Sequence, residues 1–201
     1  ELYRAHAIES FDTVFCRAQL DTGVPLAVGM THGIIPGPQQ PPANWERIEC
    51  ENATILYKAR ACWQVIWRDG RRESGFDIDA SPQLNLGTHL DYLEGKRDRP
   101  VTRLVDCRPF VDFYNQVFLA AAGITQIGDR QPPHALGWHC GDGIVTFDEL
   151  RETVIRFARD DVLPSAQALD WAAPGGRAVV GDIPRLAPTV NAIADAAGEP
   201  E

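Results

Sequence analysis

From Asp106 to Ile124 the chain reads DCRPFVDFYNQVFLAAAGI, with Phe110, Phe113, Tyr114, Val117, Phe118 and Ala121 recurring at helical spacing. A stripe of that width has to be buried, so the segment predicts a helix with one face packed. Pro109 suits the first turn, where its missing N–H costs nothing, and Gly123 reads as the C-cap. Cys107 stands at the start of this helix. A short strand is expected at 124–127 and a turn at 129–133. HALGWHC and IVTFD then flank Gly141-Asp142-Gly143 and predict hairpin strands at 134–140 and 144–148. Leu150, Val154 and Phe157 share one side of a helix expected over 147–161.

Upstream, Cys62, Gln64 and Ile66 alternate with Trp63, Val65 and Trp67. With Asp69-Gly70 and then RESGFDID, that alternation predicts an antiparallel hairpin over 61–79. The paired tryptophans read as core or an aromatic ladder, and Asp77 and Asp79 as solvent-facing. Residues 2–20 carry Leu2, Ile8, Phe11, Val14, Phe15 and Ala18 near helical spacing and are expected to be a helix. A strand is expected at 26–35, a short helix at 84–93 and a charged turn at 94–100. The proline-rich PGPQQPP is too short for a domain linker. Helices and antiparallel strands in separate runs indicate α+β, as one domain over 1–201 with a mobile tail after about residue 190.

A chain of 201 residues can bury a proper core, and its net charge of −9 argues against general nucleic-acid binding, which needs a basic surface. It has no apolar run long enough to span a bilayer, and no basic-then-apolar segment opens the sequence as given. No membrane partner is therefore expected, and compartment and oligomeric state stay open. Five cysteines without a C-x-x-C pair argue against structural zinc. Cys50 and Cys62 would suit a disulfide in an oxidising compartment, where Asn52-Ala53-Thr54 would also be a glycosylation sequon.

One trio points to chemistry: Cys107, His134 and Asp148. Cysteine attacks as the thiolate, and a helix N-terminus stabilises negative charge. A nucleophile needs a base, and the base needs an orienting group. His134 opens one hairpin strand and Asp148 closes the other, so a tight hairpin would bring them side by side.

This arrangement resembles the transglutaminase-like superfamily, within the wider papain-like plan. The resemblance rests on Cys107 and its helix to Gly123-Ile124, then His134-Ala135, then GDGIVTFD closing at Asp148, roughly residues 103–150. It implies a papain-like core with the Cys-bearing helix packed on an antiparallel sheet. It further implies nucleophile, base and orienter roles for Cys107, His134 and Asp148. The activity implied is acyl transfer or hydrolysis of amide or ester bonds in protein or peptide substrates, with no cofactor or metal.

The same residues also have structural readings. Cys107 could serve as a small buried apolar side chain and His134 as a loop residue. Thr146 and Glu149 form a capping-box pattern in which Asp148 merely favours a helix start. The chain would then be a non-catalytic, soluble, acidic binding module. Residues 142–149 mimic half of a calcium loop, but Trp138 and Cys140 occupy its ligand positions. His139, Cys140 and Asp142, or His89 and Asp91, are too few ligands to define a metal site.

Overall fold

The computed structural model describes residues 1–6, 8, 10–34, 46–58, 62–76, 82–121, 123–127, 138–141 and 144–197, of which 82–85, 138–141, 144–148, 194, 196 and 197 are described by backbone alone. In chain order the strands are β1 (Leu2–Arg4), β2 (Thr13–Gln19), β3 (Pro25–Thr31), β4 (Glu46–Glu49), β5 (Ala53–Lys58), β6 (Cys62–Trp67), β7 (Arg72–Phe76), β8 (Ile124–Gln126), β9 (Trp138–Gly141) and β10 (Ile144–Phe147). The helices are α1 (Pro82–Leu93), α2 (Arg108–Ala120), α3 (Asp148–Asp160) and α4 (Leu186–Ala197). Together they make a mixed α+β protein. The chain, read above as one domain, groups into two compact units: Glu1–Ile35 with Pro109–Glu201, and Pro36–Arg108.

The first unit is built on a sheet of order β3-β2-β1-β8, antiparallel except for the parallel β1–β8 pair. Neighbouring residues of a strand face opposite ways, and here both faces are covered. On one face Leu2 and Val14 pack with Val117 of α2, with Phe113 and Phe118 against them. On the other, Tyr3 and Phe15 pack with Ile127, with Leu150 and Phe157 of α3, and with Trp171. The rings there meet edge to face, Tyr3–Trp171 at 5.1 Å and Phe15–Phe157 at 5.4 Å.

Two-sided burial explains why residues 2–20 are strands and not the expected helix. A strand buried on both faces carries apolar neighbours side by side, as in Leu2-Tyr3 and Val14-Phe15. Added to Ile8 and Phe11 of the connecting loop, those pairs imitate helical spacing. Elsewhere the sequence reading fits closely. The expected strand at 26–35 is β3, the short helix is α1, and the helix over 147–161 is α3. The expected hairpin strands 134–140 and 144–148 are β9 and β10 where described, and 134–137 lie outside the described residues. The helix expected over 106–124 is shorter. A 3-10 turn at Leu104–Cys107 precedes α2, which ends at Ala120. Residues after 190, expected as a mobile tail, lie in α4 as far as Ala197.

The second unit holds a four-stranded meander, β4-β5-β6-β7. As the alternation predicts, β6 and β7 pair with Val65 opposite Glu73. Trp67 closes a three-residue loop by donating its N–H to the Arg71 carbonyl at 2.9 Å, and Gly70 takes the left-handed φ of +89° that this loop requires. The register aligns Ile48, Ile55 and Val65 across one face, with Tyr57 and Trp63 beside them. Trp63 lies over Gly75, so close that a Cβ there would sit 2.7 Å from the indole ring. Gly75→Ala is therefore expected to force the indole off its seat and cost about 1–3 kcal/mol, as overpacking typically does. Urea denaturation followed by tryptophan fluorescence measures this, and an unchanged midpoint would contradict it. Among the described residues no helix is long and apolar enough to cross a membrane.

Candidate functional site

Cys107 is the last residue of the 3-10 turn and is exposed, directly ahead of α2. Its reading as a buried apolar side chain is thereby corrected. The turn is pinned by its neighbour Asp106, whose carboxylate accepts the Arg103 backbone N–H at 2.9 Å and its guanidinium at 2.8 Å. Those bonds from Arg103 hold the Asp106 carboxyl down at about 2. The helix that follows packs Phe113, Val117 and Phe118 into the core of the first unit.

His134 lies outside the described residues. Asp148 opens α3 straight after the β9–β10 ladder, whose last pair is Phe147–Trp138, and its side chain lies outside the described residues. Cys107 belongs to the second unit and Asp148 to the first. Glu149, the acidic half of the capping-box pattern, accepts the Trp171 indole N–H at 2.7 Å.

The remaining thiols differ from Cys107. Cys16 is half-buried in β2, where burial pushes its thiol pKa up. Cys50 is exposed and Cys62 half-buried, and both are free thiols without the disulfide considered for an oxidising compartment. The His139, Cys140 and Asp142 ligand set lies outside the described side chains. His89 lies against Tyr92, with ring centroids 6.2 Å apart, and Asp91 is 3.9 Å from the Lys96 ammonium. Among the described residues no cluster of three histidine, cysteine or acidic side chains could hold a metal ion.

One polar cluster escaped the sequence reading. The Asp12 side chain is only 2% exposed, and its Oδ2 lies 2.7 Å from Nδ1 of His6. The same carboxylate accepts the N–H groups of Ala5 and His6 and the Thr13 hydroxyl, which shares a further bond with Thr31. A charge so enclosed persists only because every side of it is hydrogen-bonded. The network ties the end of β1 to the start of β2 and fixes the imidazole. Its signal is the His-x5-Asp spacing of HAIESFD, invisible while the segment reads as a helix.

Fold and site together describe an α+β protein carrying an exposed cysteine at a helix start. No protein-family model, no curated protein and no solved structure matches the chain.

Proposed function

We propose that the chain is a cysteine-nucleophile enzyme acting on amide or ester bonds, with Cys107 as the attacking group. The observation that carries this reading is the solvent-open Cys107 thiol directly before α2, whose macrodipole favours negative charge at its start. Resemblance to the transglutaminase-like superfamily supplies the partners, His134 as base and Asp148 as orienter of the imidazole, within a papain-like core. In the reaction the Cys107 sulfur attacks a carbonyl carbon while His134 takes the thiol proton. That proton passes to the departing amine or alcohol, leaving an acyl thioester. Water or a second amine then attacks the thioester, and the sulfur leaves and recovers a proton.

Alkylation by iodoacetamide near neutral pH, read site by site, tests this. Cys50 is the internal standard, because it too is exposed but stands at no helix start. Cys107 is expected to react at least about tenfold faster than Cys50, and Cys16 slowest of the described thiols. Cys107→Ala should abolish turnover of a model glutamine or peptide substrate while leaving the melting temperature unchanged, since an exposed sulfur fills no cavity. Equal rates at Cys107 and Cys50 would count against the enzyme. A second reading, a non-catalytic binding module, draws on the exposed Leu104 and Val105 just ahead of the thiol.

A further inference from the structure

We infer that the segment Lys96–Arg108 is a docking surface for an anionic lipid membrane, contacted at its face and not spanned. The inference stands independently of any chemistry at Cys107. Its first basis is apolar exposure. Leu104 is 93% exposed, and Val101 and Val105 are each more than half exposed. Large aliphatic side chains so open to water mark contact sites when they cluster, as these three do within five residues.

The presentation is built. Arg103 and Asp106 lock the 3-10 turn through the backbone and guanidinium bonds described above, so Leu104 and Val105 are held outward at a fixed tip. Upstream, α1 ends in a Schellman motif: Lys96 N–H bonds the Asp91 carbonyl, Gly95 N–H bonds that of Tyr92, and Gly95 takes φ +75°. The helix ending there carries Leu86, Leu90 and Leu93 on one side, all exposed. A twelve-residue helix with so little buried is marginal alone in water, and an apolar surface against that stripe would stabilise it.

Charge chooses the occupant. Residues 96–108 hold Lys96, Arg97, Arg99, Arg103 and Arg108 against Asp98 and Asp106, a local net of +3 in a chain of net −9. Arg97 and Arg99 are exposed, and Arg99 lies 3.9 Å from the Asp106 carboxylate in the turn that carries the apolar tip. Exposed aliphatic side chains in a segment of net positive charge fit the interface of an anionic bilayer, where the tips enter the acyl boundary and the guanidinium groups meet headgroups. An acidic peptide would satisfy the charges and leave a protruding Leu104 in water.

Co-sedimentation of the full chain with vesicles of phosphatidylcholine containing roughly one-third phosphatidylserine tests the inference. Binding is expected at low salt, weaker at physiological salt and absent with phosphatidylcholine alone. Leu104→Ser with Val105→Ser should lower partitioning by about tenfold, and Arg97→Gln with Arg99→Gln by about the same, through loss of apolar insertion and of charge respectively. All four positions are exposed, so circular dichroism should stay unchanged. No binding to the anionic vesicles, or binding that either double variant leaves intact, would overturn the proposal. So would capture by immobilised polyglutamate as strong as by vesicles.

Discussion

Phe157→Ala is expected to lower the stability of the first unit by about 3–5 kcal/mol, the usual cost of deleting a buried ring. Phe157 is 2% exposed, meets Phe15 edge to face, and lies so close to Gly29 that a Cβ there would be 3.0 Å from its ring. With domain stabilities of about 5–15 kcal/mol, a loss of that size is a large fraction of the whole. Chemical denaturation should show it as a lower midpoint. Phe110→Ala is the control: that ring is 68% exposed, and its loss should stay within about 0.5 kcal/mol. Equal destabilisation by the two would mean that the core has been assigned to the wrong residues. Phe113, on the stripe of α2, is half-buried and should fall between them.

Asp12→Ala is the second large effect, expected at about 2–5 kcal/mol, because each enclosed donor left without its acceptor costs about 1–3 kcal/mol. Its removal leaves the buried Ala5 N–H, the half-buried His6 N–H and the His6 imidazole without their acceptor. Asp12→Asn should cost less, because the amide oxygen can still accept from one side while its NH2 faces donors on the other. Urea midpoints of the two variants give the order. An alanine variant as stable as the parent would show that the enclosed carboxylate contributes nothing to holding β1 against β2.

These two residues also show where sequence reading succeeds and where it fails. Phe157 was legible because α3 is buried along one side only, and one-sided burial writes a clean helical period. The β6–β7 hairpin was legible for the analogous reason, with strict alternation ending at Asp69-Gly70. Residues 2–20 misled because a sheet covered on both faces erases the alternation that identifies strands. Asp12 and His6 were lost with that misreading, since their pairing depends on a loop between strands. The exposed Cys107 at a helix start was readable from Pro109 and the apolar stripe. Its proposed partnership with His134 and Asp148 depends on long-range geometry, which spacing along a chain does not encode. Of the Lys96–Arg108 surface only residues 96–100 were read, as part of a charged turn, because the exposure of Leu104 is a property of the folded chain.

The pairing of β1 with β8 has a consequence for how the chain is made. Leu2 sits in register with Ile124, so β1 waits for a strand synthesised more than a hundred residues later. The β4–β7 meander, which lies wholly inside that interval, pairs only neighbours in sequence and can close while synthesis continues. Local contacts of that kind form with little loop-closure cost, whereas the β1–β8 pair must close a long loop. Nascent chains therefore carry Leu2, Tyr3, Val14 and Phe15 unsheltered until α2, β8 and α3 have emerged. Chaperone demand during synthesis should concentrate on that amino-terminal stretch, while the inserted meander matures early.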